Sequence, residues 1–99
     1  MININESNFD EETKDGIVIV DFYAEWCGPC KVLGPILEKI IGAKVVKMNV
    51  DENFDTPQKY QVSALPTILI FKEGKVVKTL VGLQSELAIQ KVVDELASI

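Results

Sequence analysis

The hydrophobic positions of the chain alternate between strand-like runs and helix-like periodicity. The run Ile17–Tyr23 is rich in β-branched and aromatic residues without clean alternation, which predicts a strand covered on both faces in the middle of a sheet. The next hydrophobic residues recur at i, i+3, i+4 and i+7, as on one face of a helix: Leu33, Ile36, Leu37 and Ile40. Gly42 is expected to end that helix, and residues 45–50 are expected to form a second strand parallel to the first.

The second half of the chain predicts a brief helix followed by a hairpin. Thr56 and Pro57 fit the N-cap and the first position of a helix that reaches about Gln61. Residues 67–71 and 76–81 predict two antiparallel strands joined by a turn.

Helices are also expected at both ends of the chain. Ser7-x-x-Asp10 resembles a loose capping box in a polar segment, which predicts a short first helix. Ser85 is expected to cap a last helix, whose buried stripe contains Ile89, Val92, Val93 and Leu96. These elements predict an α/β fold with a mixed sheet of four to five strands flanked by helices on both faces. A βαβ half precedes a ββα half.

Length and composition indicate one globular domain spanning residues 1–99. A chain of this size can bury a core without a metal or a disulfide framework. The first residues lack the basic and apolar segments of a signal peptide, and no apolar run approaches a membrane span. We therefore expect a cytoplasmic protein with no membrane partner, and nothing in the sequence requires more than a monomer.

The charged residues exclude several function classes. Fifteen acidic residues outnumber ten basic ones, and the net charge of −5 argues against binding to nucleic acid. The absence of histidine removes the commonest metal ligand and the commonest general base near neutral pH. The candidate chemistry therefore depends on the two cysteines, Cys27 and Cys30.

Cys27 and Cys30 lie where the first long strand gives way to a helix. Free backbone N–H groups and the helix dipole at that end favour a thiolate, which is the nucleophile in disulfide exchange. Cys30 follows one helical turn later, so it can attack a mixed disulfide on Cys27 and release the partner as a dithiol.

Three other interpretations of the pair compete with redox chemistry. A structural disulfide is disfavoured because so short a loop would constrain the unfolded chain little. A zinc site needs about four N or S ligands, so two chains would have to share the ion. Two inert core cysteines are the third alternative, but Gly28 and Pro29 between them are typical of a tight, exposed turn.

Residues 20–31, VDFYAEWCGPCK, resemble the active-site segment of the thioredoxin family. Further matches follow in order over nearly the whole chain: Pro35, which is expected to bend its helix, Lys47, Leu65, Pro66, Thr67 and Gly82. Two departures are visible, since Tyr23 stands where tryptophan is common and Ala64 stands near a position often occupied by glycine.

The resemblance implies a protein-disulfide reductase that acts on disulfide-containing target proteins. It also implies re-reduction by a flavin-containing thioredoxin reductase that uses NADPH, with no cofactor or metal bound to this chain. Strong oxidants of this fold resemble one another in carrying a histidine between the cysteines, whereas Gly28 and Pro29 supply no charge. We therefore expect a midpoint potential on the reducing side of the glutathione pool. A glutaredoxin-like or oxidising exchange protein and a non-catalytic interaction module stay open as alternatives.

Asp21 lies among apolar residues, where an ionised carboxylate is costly unless it is paired. Either its side chain faces solvent or, as the resemblance implies, it is a buried base that deprotonates Cys30. Burial would raise the pKa of Asp21, and Lys47 on the neighbouring strand would moderate that rise. Lys47 is as readily interpreted as a surface lysine.

A docking surface is expected beside the cysteines. Pro66 is either an ordinary strand-start proline or, as the resemblance implies, the second residue of a cis peptide bond that packs against the cysteines. In the second case the backbone of Leu65 and Thr67 faces the substrate. Trp26 is either a core residue or a shield for one side of the site. The expected apolar surface contains Trp26, Gly28, Pro29, Leu65, Pro66, Gly82 and Leu83.

Overall fold

A computed structural model describes the whole chain, Met1–Ile99, and gives the predicted α/β architecture. The elements in chain order are β1 (Ile2–Asn3), α1 (Phe9–Thr13), β2 (Ile17–Tyr23), α2 (Gly28–Leu37), β3 (Lys44–Asn49), α3 (Asp55–Lys59), β4 (Thr67–Lys72), β5 (Lys75–Val81) and α4 (Glu86–Ala97). One five-stranded sheet has the order β1-β3-β2-β4-β5. The first three strands are parallel, and β4 runs antiparallel to both β2 and β5.

The central strand β2 separates two hydrophobic cores, because successive side chains point to opposite faces of a strand. Val18, Val20 and Phe22 pack into one core with residues from α1 and the neighbouring strands. Ile19 packs into the other core, which α2 and α4 cover. The predicted helices on both faces are therefore confirmed, and Asp21 lies on the same face as Ile19, toward α2.

Two predicted helix starts are wrong in detail. Ser7 does not cap α1, since its hydroxyl donates a 2.6 Å hydrogen bond to Asn5 Oδ1 and the N-cap position is Asn8. Thr56 is not the N-cap of α3 but lies inside the helix, which begins at Asp55. A residue distant in the chain accepts hydrogen bonds from the free N–H groups at that helix end instead.

Glu6 supplies the hydrogen bonds that the N-terminus of α3 needs. Its Oε1 accepts from the backbone N–H of Asp55 at 2.9 Å, and its Oε2 accepts from the N–H and the hydroxyl of Thr56, both at 3.0 Å. Partial desolvation raises the pKa of Glu6, but these hydrogen bonds together outweigh it and lower the pKa. The N-terminal segment is thereby tied to α3.

Of the remaining helix boundaries, the start of α4 lies where it was predicted and the end of α2 does not. The predicted cap of α4 is confirmed, because Ser85 Oγ accepts a 3.1 Å hydrogen bond from Ala88 N–H. Helix α2 ends at Leu37, earlier than predicted, and Gly42 has a φ of +93° that turns the chain into β3. None of the helices combines the length and the hydrophobicity that a membrane span requires.

Candidate active site

Cys27 and Cys30 form a disulfide at the N-terminus of α2, with their Cα atoms 5.3 Å apart. Cys27 is the N-cap residue, and its Sγ accepts a 3.2 Å hydrogen bond from the backbone N–H of Cys30. Both cysteines are only 5% exposed, whereas Gly28 and Pro29 between them are exposed. The pair thus lies just beneath the surface at a helix end, where a thiolate is stabilised. No three acidic or cysteine side chains cluster as metal ligands.

The loop before β4 packs beside the disulfide. Leu65 contacts the buried cluster that contains both cysteines, and the Leu65–Pro66 peptide bond is cis. Pro66 is buried, and its carbonyl accepts a 2.8 Å hydrogen bond from Gly82 N–H. The Thr67 hydroxyl donates a 2.6 Å bond to the carbonyl of Ala64. Two segments far apart in sequence therefore meet at one side of the cysteines.

Trp26 lies on the surface and not in the core, since it is 71% exposed. Its indole Nε1 donates a 2.9 Å hydrogen bond to Asp51 Oδ2, which holds the ring beside the site. Leu83 is 49% exposed, so apolar surface lies at both Trp26 and the segment after β5. Sequence reasoning missed Asp51 because no local pattern connects it to a tryptophan 25 residues earlier.

Asp21 is buried, with only 2% of its surface exposed, so the solvent-facing alternative is wrong. Its Oδ1 atom has no hydrogen-bond partner. Burial raises the pKa of Asp21 to about 7, and the positive charge of Lys47 offsets part of that rise. This carboxylate can therefore gain or lose a proton near neutral pH.

A cavity of about 210 Å³ brings Asp21 and Cys30 together, with Tyr23 and Lys47 also in its wall. Its volume exceeds the roughly 30 Å³ that one water molecule occupies in the liquid, and its lining is partly polar. A proton can therefore pass between the carboxylate and the thiol of reduced Cys30 through water in this cavity.

Lys47 lies opposite Asp21 in the register of β2 and β3. Its ammonium does not pair with the carboxylate but lies over the ring of Tyr23, with Nζ 5.0 Å from the centroid. The Tyr23 hydroxyl donates a 2.7 Å hydrogen bond to Asn3 Oδ1. Sequence reasoning noted Tyr23 only as a departure from the family pattern, and Asn3 not at all.

Comparisons with known proteins agree with this geometry. The thioredoxin family model matches residues 1–95. A thioredoxin of Bacillus subtilis (strain 168) is 42% identical over an alignment of 100 positions that covers 96% of each chain. A thioredoxin of Pseudomonas aeruginosa is 43% identical over 93 residues, covering 87% of this chain and 86% of the relative. A solved mutant thioredoxin from Halobacterium salinarum NRC-1 superposes with a TM-score of 0.90 at 35% identity, covering 95% of this chain and 88% of that one.

Proposed function

Because this chain belongs to the thioredoxin family and is a protein-disulfide reductase, we propose that Cys27 and Cys30 divide its reaction into an attack and a resolution. The observation that carries this proposal is the disulfide at the N-terminus of α2, with Cys27 as the N-cap residue. The helix end stabilises negative charge on Cys27, so Cys27 is the attacking thiol.

In the first step the Cys27 thiolate attacks one sulfur of a substrate disulfide. A new S–S bond forms between Cys27 and that sulfur as the substrate bond breaks. The other substrate sulfur leaves as a thiolate and takes a proton from solvent. The backbone N–H of Cys30, which donates to Cys27 Sγ in the oxidised protein, is positioned to stabilise the attacking thiolate.

In the second step Cys30 resolves the mixed disulfide. Asp21 accepts the proton of the Cys30 thiol, and the resulting thiolate attacks Cys27 Sγ. The S–S bond between Cys27 and the substrate breaks, and the substrate sulfur leaves as a thiolate and takes a proton from solvent. The substrate is then a dithiol, and the enzyme has given up two electrons and become the Cys27–Cys30 disulfide. Asp21 fits the role of base because it shares a cavity with Cys30 and its pKa is raised to about 7. Lys47 moderates that pKa and does not itself take the proton.

Target proteins dock on the surface around the cysteines. Exposed Trp26 borders one side, and the Leu65–Thr67 loop with Gly82 borders the other. An extended substrate segment can pair with the backbone of Leu65, which makes no backbone hydrogen bond within the chain, as an added strand pairs with a sheet edge. Gly28 and Pro29 leave the approach to Cys27 open.

A thioredoxin reductase that uses NADPH regenerates the dithiol, so this chain binds no cofactor of its own. Gly28 and Pro29 add no charge that would stabilise the Cys27 thiolate further, which favours the disulfide form and makes the dithiol a good reductant. A reducing role suits the cytoplasm, where thiols are kept reduced, and supports the proposal that the protein acts there.

The test is a reduction assay on a generic protein disulfide with wild type, Cys27→Ser and Cys30→Ser. Cys27→Ser is expected to be inactive, because the nucleophile is lost. Cys30→Ser is expected to accumulate a mixed disulfide, because attack survives while resolution does not. Unchanged reduction by Cys27→Ser would favour a non-catalytic interaction module.

A second measurement separates the reductase from a glutaredoxin-like or oxidising protein. Redox titration against glutathione is expected to give a midpoint on the reducing side of the glutathione pool. Regeneration by NADPH and thioredoxin reductase is expected to be faster than by glutathione alone. An oxidising midpoint, or faster regeneration by glutathione, contradicts the reductase assignment.

A further inference from the structure

Tyr23 borders both the disulfide and the cavity that Asp21 lines. Its side chain belongs to the buried cluster that contains both cysteines, and it also lines the cavity. The hydrogen bond from its hydroxyl to Asn3 Oδ1 fixes the ring against β1. The proposed reaction assigns no role to this ring.

Lys47 is placed to pair with Asp21 and yet does not. The two residues are aligned on neighbouring strands, and Asp21 Oδ1 is buried without a partner. An ammonium group is among the strongest partners that such an oxygen can have. Instead, Lys47 Nζ lies 5.0 Å from the centroid of the Tyr23 ring, within the range of a cation–π interaction.

We propose that Tyr23 is a positioning residue whose ring holds the Lys47 ammonium and keeps it from pairing directly with Asp21. The ring attracts the cation through the negative face of its π-system. Because the bond to Asn3 already orients the ring, holding the lysine there requires little further ordering.

This inference rests on the proposed role of Asp21 as the base for Cys30. A direct ion pair would stabilise the carboxylate and lower the pKa of Asp21 below the present value of about 7. A carboxylate with a low pKa is a weak acceptor for a thiol proton. Tyr23 therefore keeps Asp21 basic enough to deprotonate Cys30 near neutral pH.

Other charged groups also face the cavity. Glu25 precedes α2, Lys31 lies in the first turn of that helix, and Glu38 is its C-cap residue. The amino group of Met1 lies 3.9 Å from Glu38 Oε1. Cys30 titrates there as well once the disulfide is reduced. Substitution of Tyr23 leaves all of these groups in place, so their charges are common to the variants compared below.

The test is a ¹³C NMR titration of the Asp21 side-chain carboxyl in the oxidised protein, where neither cysteine titrates. Tyr23→Leu removes the ring and is expected to lower the pKa of Asp21 by about one pH unit or more, as Lys47 moves to the carboxylate. Tyr23→Phe keeps the ring but loses the bond to Asn3, so a smaller decrease is expected.

Lys47→Met provides the matched control. In that background Tyr23→Leu is expected to leave the pKa of Asp21 unchanged, because no ammonium remains to be released. An unchanged or raised pKa in folded Tyr23→Leu, or an equal decrease without Lys47, overturns the proposal. If Tyr23→Leu does not fold, Tyr23→Phe and Asn3→Ala take its place, and the absence of any decrease in both overturns the proposal.

The titration measures no turnover, so its result is independent of the role of Asp21 as a base. Normal resolution by an Asp21→Asn variant would contradict the proposed function. The NMR titration alone would still decide whether Tyr23 controls the effect of Lys47 on the pKa of Asp21.

Discussion

The Asp21 carboxylate and the Cys30 side chain border the same cavity, although they are nine positions apart in the chain. Asp21 reaches it from the central strand, and Cys30 reaches it from the first turn of α2. Asp21 is therefore the only buried ionisable group beside the resolving cysteine that can accept its proton. Its pKa is raised to about 7.

Asp21→Asn is expected to slow resolution of the mixed disulfide by about tenfold at pH 7. This effect is smaller than the 10²–10⁴-fold typical of a general base, because water can reach Cys30 through the cavity and accept the proton instead. In wild type the resolution rate should rise with pH through about 7 as Asp21 loses its proton. The variant should lack this rise. Stopped-flow Trp26 fluorescence can follow the step, and Glu38→Gln is the control because Glu38 lines the same cavity but is exposed. Equal pH profiles for wild type and Asp21→Asn would contradict the role of base.

The same substitution is expected to stabilise the fold at high pH. The folded pKa of Asp21 is raised from 3.8 to about 7, so the native state binds this proton more tightly than the unfolded chain. That contribution is fully present below about pH 4 and is lost as the pH rises through 7. Each unit of difference between the folded and unfolded pKa corresponds to about 1.4 kcal/mol, so the free energy of unfolding falls by about 4 kcal/mol at most.

Urea unfolding of Asp21→Asn and wild type at pH 4, 6 and 8 measures this difference in the free energy of unfolding. The variant's advantage should grow with pH up to about pH 8 and be smallest at pH 4. Asp15→Asn is the control, since Asp15 is exposed. A difference that does not change with pH would show that the substitution acts through packing alone.

Glu6→Gln is expected to destabilise the start of α3. The carboxylate accepts three hydrogen bonds from Asp55 and Thr56 through both of its oxygens, whereas the amide has one acceptor oxygen and an NH2 group that only donates. The amide also loses the charge that strengthens these bonds. Because the pKa of Glu6 is lowered on folding, its stabilising effect is present above 4.5 and is lost as the pH falls below that value. Hydrogen exchange of the Asp55 and Thr56 amides should accelerate at pH 7, whereas exposed Glu52→Gln should leave both unchanged. Equal exchange in Glu6→Gln and wild type would mean that the cap is dispensable.

Lys72→Met is expected to lower the free energy of unfolding by about 1–2 kcal/mol. The ammonium of Lys72 donates to the carbonyls of Leu96 at 2.6 Å and Ile99 at 3.1 Å, at the end of α4 where carbonyls lack helical partners. Lys78→Met removes an equal charge from the exposed strand β5 and should cost less than half as much. Equal losses in the two variants would assign the effect to net charge.

Local patterns predicted the elements that local forces form. The β-branched run predicted the bounds of β2, and Ser85 caps α4 with a hydrogen bond three residues away. The predicted start of α1 failed within its own segment, because the Ser7 hydroxyl bonds to Asn5 Oδ1 instead. The predicted start of α3 failed because it depends on a residue distant in the chain. Helices of five residues depend on tertiary contacts, and the group that caps α3 comes from Glu6, 49 residues earlier than Asp55.

Strand β1 was missed because two residues carry no periodicity, and it exists only through its pairing with β3. The bond between Trp26 and Asp51 and the position of Lys47 over Tyr23 were missed for a related reason. Each joins residues on different elements, and the sequence specifies neither their distance nor their orientation.

The sequence by itself determined the reactive pair, because Cys27 and Cys30 are neighbours in the chain and a helix start follows from local residue types. It also determined the central strand, since burial on both faces requires an unbroken apolar run. Only the tertiary structure decided that Asp21 is buried beside Cys30 and that the Lys47 ammonium lies over the Tyr23 ring. The pKa of a carboxylate depends on its desolvation and on the distance to nearby charges, and both quantities exist only once the strands and helices have packed.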